Sequence, residues 1–346
     1  MAITGAGTET DPYLVSTAEE LRACLESNDS GDYPGQYIQL ANDIDKVGDK
    51  LSSTTITSPK HLNGNNHKIR NIYVDQRLFY INNVQITFKN IHFENIDVVA
   101  NSVKGVLIYA YVSPSPVNIN IHTCTFHVHL AELHEYNTMF HFEAEKGVND
   151  TMLFEKCEFM FFINEKSNTV ADAEFVGFTC TARNWSPNVN IGIKQSRIVF
   201  DYSNYLTTQP SMDRITLFYR MLHSSRWGSQ TAQFEQSYVM IKGNDKDYSL
   251  CGDRRLMFTE NKELYLKYVY FFADDKVKSS LLSYDYSGMS TDITQRNYAI
   301  QVLVSTPLTQ NQEESGSQGV YYLTYDQIKN PDYLNSIYWY VNKEGE

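Results

Sequence analysis

The chain has 346 residues, 42% of them hydrophobic, with 25 Tyr, 18 Phe and a formal net charge of −12. That apolar share builds a sizeable core and excludes a disordered chain, and the aromatic excess leans toward strands. The acidic balance argues against nucleic acid or an anionic membrane as a partner, and the longest dense apolar run, Phe159 to Ile163, is far short of the ~20 residues that cross a bilayer.

Met1-Ala2-Ile3-Thr4 carries neither the basic nor the apolar region of a secretion signal, so synthesis and folding in a cytoplasm are expected. The stretch GAGTETDPYLVSTAEEL (5–21) runs from a Gly-rich polar lead into an apolar pair and a helix start. Ser16-x-x-Glu19 and Thr17-x-x-Glu20 are overlapping capping boxes, and Leu21, Cys24 and Leu25 form one apolar stripe beyond them. The spacing predicts a short helix over 17–27. After YIQLANDID, the segment HLNGNNHKIRNIYV (61–74) reads as a coil with Leu62, Ile69 and Ile72 inward and Asn-Gly at its turn.

From residue 78 a pattern recurs: LFYINNVQITFKNIHFENIDV (78–98), MFHFEAEKGVNDTMLFEKCEFMFFI (139–163), LFYRMLHSSRWGSQTAQFEQSYVMI (217–241) and LMFTENKELYLKYVYFFADD (256–275). Segments 106–130 and 175–200 fit less clearly. Each opens with an apolar pair or trio, continues through a polar stretch of variable length, and ends in an alternating strand. Such short strands suit a sandwich, a barrel or a solenoid. A recurring two-strand unit with freely varying turns favours the solenoid, an all-β parallel β-helix of eight or so coils, ~4.8 Å each and roughly 40 Å long. Open β edges need cover. The 17–27 helix is expected to lie over the first coil, and Thr324-x-x-Gln327 leading into Ile328 marks a small C-terminal cap. The chain thus divides into a lead and capping helix (1–37), β-helix coils (38–304, with 281–304 as a last coil), and an exposed loop and cap (305–346).

The five cysteines, Cys24, Cys124, Cys157, Cys180 and Cys251, include no CxxC pair; Cys124, Cys157 and Cys180 read as core fillers kept reduced. Five histidines fall close together: His122, His127, His129, His134 and His141. His127 and His129 share one side of a strand, which is half a metal site or, more simply, an outer face with Val128 inward. Carboxylate candidates for polysaccharide cleavage are Asp172 with Glu174, Asp253 beside Arg254 and Arg255, and Asp274-Asp275 beside Lys276. In an acidic, solvated chain such pairs read as polar turns, so no catalytic residue, metal site or cofactor is assigned. Arg183-Asn184-Trp185 and Arg226-Trp227 sit in the variable stretches of successive coils. They are expected to form a ledge that stacks on sugar rings or anchors a protein, extended by Tyr202 and Tyr205; the bland alternative folds each ring over its own loop. Trp339 belongs to the C-terminal cap.

The opening GAGTETDPYLVSTAEEL with YIQLANDID and LNGNNHKIRNI, and the closing GVYYLTYDQIKNPDYLNSIYW, resemble right-handed parallel β-helix proteins of the pectin-lyase-like type, in the version found in bacteriophage tail spikes, head fibres and tail appendages. The resemblance covers roughly residues 5–75 and 319–340. It implies a structural or attachment protein located in the virion, assembled in the host cytoplasm as a homotrimer or docked onto other virion proteins, and binding host-surface glycan; with no catalytic residue assigned, it is expected to be non-enzymatic. A tail-spike depolymerase and a bacterial surface adhesin are the rival readings. No cofactor, nucleic acid or membrane partner is implied.

Overall fold

The computed structural model describes residues 3–99, 103–112, 117–133, 137–144, 150–166, 174–182, 189–201, 203–204, 214–219, 230–243, 258–259, 263–267, 269–273, 297–300, 302–305, 320–323, 330 and 332. Among them the strands lie in three parallel sheets of ten, nine and seven strands. Sheet A runs from Tyr13–Val15 to Asn297–Ile300, sheet B from Lys68–Val74 to Val320–Leu323, and sheet C from Thr54–Ile56 to Phe258–Thr259. The chain visits C, A and B in turn: Phe79–Asn82, Ile86–Lys89 and His92–Val98, then Ile108–Val112 back in C. Each strand pairs in parallel with its counterpart one coil away. This is a parallel β-helix. Sheet B also gains a strand at Val320–Leu323, beside Val302–Ser305, within the segment expected to be loop and cap.

The two-strand unit expected from the sequence is replaced by three strands per coil. The segment ITFKNIHFENIDV, expected to be one alternating strand, is two strands joined at a bend by Asn90-Ile91. Two outward residues interrupt the alternation at the bend, and it resumes at once because the second corner residue points inward. Ile91, Cys124, Cys157 and Val269 occupy that place at 2% exposure or less, and Ser196 and Ser237 at 5% and 4%. The first corner residue takes positive φ: Asn90 56°, Thr123 53°, Lys156 54°, Gln195 49° and Gln236 48°. A side chain there costs on the order of 1 kcal/mol. A ladder of backbone bonds between coils offsets it, with the Thr123, Lys156, Gln195 and Gln236 N–H groups donating to the Glu155, Lys194, Glu235 and Lys267 carbonyls at 2.8–2.9 Å. Inside the corner, the Cys157 N–H donates to Ser196 Oγ and the Ser196 N–H to Ser237 Oγ, both at 3.0 Å. Outside it, His122, Glu155, Lys194, Glu235 and Lys267 stand in one register column. Glu235 meets Lys194 at 3.9 Å and Lys267 at 3.4 Å.

The opening motif folds as its residue types require. Gly5 and Gly7 have φ of +99° and +71°, and a Cβ on Gly7 would lie 2.7 Å from Gly35 Cα. Thr8 and Asp11 close the polar turn between them, and Tyr13 packs into the core at 8% exposure. The helix α1 spans Ala18–Glu26 with Thr17 as its cap, so of the two overlapping capping boxes the Thr17–Glu20 one forms. Ala18, Leu21, Cys24 and Leu25 are its buried face. Arg22 donates to the Lys50 and Ser52 carbonyls, and Glu26 accepts the Thr55 N–H, which fastens α1 to the first coil. Beneath it, Lys60 is wholly buried with its Nζ donating to the Gly35 carbonyl at 3.1 Å; burial pushes its pKa down. The cap residues expected at the other end, Thr324, Gln327 and Trp339, lie outside the described residues.

The interior is a stack of phenylalanines. Phe159 touches Phe126, Phe140, Phe154, Phe161 and Phe178 with ring centroids 5.4–6.3 Å apart. Each buried ring contributes roughly 2–3 kcal/mol through lost apolar surface. Leu62, Ile69 and Ile72 point inward as expected. Cys24, Cys124 and Cys157 are free and buried, and burial pushes the Cys24 and Cys157 thiols up to about 12. They act as fillers; the Cys180 side chain and Cys251 lie outside the described residues.

Candidate functional site

Sheet C brings together a cluster on its outer face. Phe79, Ile108 and Phe140 point inward on consecutive coils, so the residues after them point outward. Tyr80, Tyr109 and His141 thereby stand in register, one above another. Their rings stack, with centroids 5.5 Å apart for Tyr80–Tyr109 and 5.1 Å for Tyr109–His141. Two residues further on, Asn82, Tyr111 and Glu143 form a second column. The first column continues in register through Thr179, Tyr219 and Thr259, whose side chains lie outside the described residues.

Arg77 lies against this column. Its Nε donates to the Lys104 carbonyl at 3.1 Å, and its guanidinium carbon sits 4.3 Å from the Tyr109 ring centroid and 6.0 Å from that of Tyr80. Such a cation over an aromatic face gains about 0.5–1 kcal/mol at a partly exposed place. The turn that offers the Lys104 carbonyl is itself fixed. Gly105 has φ +66°, where a Cβ would meet Ile108 O and Tyr109 Cα at 2.7 Å. The Gly105 N–H donates to Thr138 Oγ1 at 2.7 Å on the next coil.

The Tyr109 hydroxyl donates to Glu143 Oε2, and His141 Nε2 lies 3.7 Å from the same oxygen. Burial pushes the His141 pKa down; Glu143 opposes that, and Lys104 and Arg77 add to it. Burial, and then Glu143, push the Tyr109 phenol up. His141 and Glu143 are 0% and 3% exposed, whereas Arg77, Tyr80 and Tyr109 remain partly exposed. A general acid or base must reach the proton it moves. The buried His–Glu pair therefore positions Tyr109, and what it presents outward is an aromatic edge with a cation on it.

The expected ledge lies elsewhere in the chain. Arg183, Trp185, Arg226 and Trp227 all fall outside the described residues, as do Tyr202, Tyr205, Asp172, Asp253, Arg254, Arg255, Asp274, Asp275 and the Glu174 side chain. His127 and His129 do flank an inward Val128. His127 Nε2 meets Glu158 at 3.2 Å, and His129 stacks on Phe162 at 4.7 Å. Among the described residues no three His, Cys, Asp or Glu side chains converge on a metal position. The site that sequence reading missed had a signal in it. The apolar openings LFY, LIY and MFH each end in a residue that period-2 alternation turns outward, and those residues are Tyr80, Tyr109 and His141.

No family model and no curated protein matches the chain. Among solved structures, one titled L. reuteri 53608 SRRP aligns over 76% of this chain and 99% of its own, at 10% identity and a TM-score of 0.28. The architecture rests on the strand pairing, not on that likeness. No helix among the described residues is long and apolar enough to cross a membrane.

Proposed function

We propose that this protein is a non-enzymatic structural or attachment component of a bacteriophage particle, a tail spike, fibre or appendage, whose sheet C face contacts host-surface glycan. Three things support the reading. The opening and closing motifs resemble virion β-helices, the stacked coils make a stiff rod, and an arginine–aromatic column stands on the outside of that rod. The column is the observation that carries it: Arg77, Tyr80 and Tyr109 are outward and partly exposed, while the titratable His141 and Glu143 on the next coil are buried. Tyrosine edges and a guanidinium suit saccharide hydroxyls and acidic groups without bond cleavage.

One observation favours a depolymerase instead, the Tyr109–Glu143 hydrogen bond with His141 beside it. Glycoside hydrolysis uses two carboxylates about 5–9.5 Å apart, and Glu143 is the one carboxylate that acts on Tyr109 and His141 among the described residues. The test is incubation of the purified protein with immobilised bacterial surface polysaccharides. Retention with no shortening of the glycan is the expected result; release of oligosaccharides would overturn the proposal in favour of the enzyme.

A further inference from the structure

We infer that the Arg77–Lys104 edge of this column is a subsite for an anionic group, a carboxylate or phosphate carried by the glycan; this deepens the attachment reading and rests on it. The arginines differ in how they are partnered. Arg22 pairs with Glu26, Arg197 with Glu158, and Arg70 with Asp43, Asp45 and Glu94 together. Arg77 has no carboxylate partner among the described residues. In a chain of net charge −12 that is an exception.

Its surroundings hold it in place rather than neutralise it. The Nε is committed to the Lys104 carbonyl and the guanidinium plane rests on Tyr109. Among the described residues the two Nη groups bond to nothing, and their four N–H donors form the edge of a rigid fork. Such a fork matches two oxygens of a carboxylate or phosphate. Two acidic groups lie near: Asp75 accepts from Ser52 Oγ at 2.8 Å, and Glu143, 3% exposed, accepts from Tyr109; neither forms an ion pair with Arg77 among the described residues. Lys104 is exposed, has no ion pair among the described residues, and offers its carbonyl to Arg77 Nε at 3.1 Å, so a second cationic residue borders the guanidinium. Little side-chain freedom is left for Arg77 to lose on binding, which favours an anion there over one at a mobile surface lysine.

Direct titration tests this. Sodium glucuronate and inorganic phosphate are titrated separately into the full chain, with the Arg77 side-chain resonances followed by NMR. At least one of them should saturate in the millimolar range, and whichever saturates at the lower concentration identifies a carboxylate or a phosphate source. Arg77→Gln and Lys104→Gln should each weaken that binding, the former about tenfold or more, with melting temperatures unchanged. Arg77→Lys should recover only part, because it keeps the charge and loses the fork. Resonances that stay put with both anions to about 100 mM, or equal binding in Arg77→Gln, would overturn the inference. Polysaccharide retention is read independently: retention without anion binding sinks the subsite alone, and anion binding without retention sinks the attachment reading.

Discussion

Through the middle coils the chain turns between sheets A and B in one way, as from Lys89 to His92, from Glu155 to Glu158 and from Glu235 to Tyr238; the first and last crossings, Asn63 to Lys68 and Ile300 to Val302, differ. Into and out of sheet C it follows no such rule: Val74 is followed by a strand at Phe79, Lys242 by one at Phe258. The first corner is built from backbone hydrogen bonds and one left-handed residue, so it repeats whatever side chains it carries. That residue is Asn, Thr, Lys and twice Gln in turn. Rigid spacing there fixes the register of sheets A and B, and through them that of sheet C. The corners beside sheet C, relieved of setting the register, vary in length and chemistry, and the arginine–aromatic column lies between them. One side of the coil holds the fold; the other is free to specialise.

Several substitutions break or sharpen this contrast. The largest effect belongs to neither side: Phe159→Ala removes a ring shared by five others and should lower stability by about 3–5 kcal/mol in denaturant titration. Next comes the uniform corner. Ser196→Ala takes the acceptor from the buried Cys157 N–H and should cost about 1–3 kcal/mol with no loss of glycan retention in the folded protein. Lys60→Met removes a buried ammonium and should stabilise the protein by ~1 kcal/mol at pH 7. The sign also appears in pH dependence. Burial holds the folded-state pKa of Lys60 below its usual 10.5, so the unfolded chain binds the proton more readily. Wild-type stability should therefore fall as pH drops from 10.5 through the lower folded value, and Lys60→Met should lack that part of the slope. Smallest is Gln195→Gly, which relieves the left-handed backbone and should shift stability upward by no more than about 1 kcal/mol.

The contrast also explains what could be read in advance. Alternation announced the strands, and Thr17-x-x-Glu20 announced α1, because each is a local signal made by side chains. The third strand per coil was hidden because the corner's second residue, as in Phe88-Lys89-Asn90-Ile91-His92-Phe93, points inward and so resumes the pattern at once after the bend. Positive φ at Lys156 or Gln195 leaves no residue-type mark, since neighbouring coils impose it. In the first two strands of sheet B the mark is visible: Asn71 and Asn95 hold φ of 57° and 53°, and their amides bond to each other at 3.1 Å. The third strand lacks the extra residue, and its register shifts between Phe126 and Val128. The sheet C column was concealed by its own apolar openings, where Tyr80 and Tyr109 pass for core.

The most direct measurement sets Tyr80→Ala beside Ser196→Ala in one polysaccharide-retention assay, with a melting curve for each protein. If sheet C carries recognition and the A–B corner carries the fold, Tyr80→Ala will melt close to wild type and lose retention, while Ser196→Ala will melt lower and retain. Retention unchanged in Tyr80→Ala, or lost in a folded Ser196→Ala, would contradict that division.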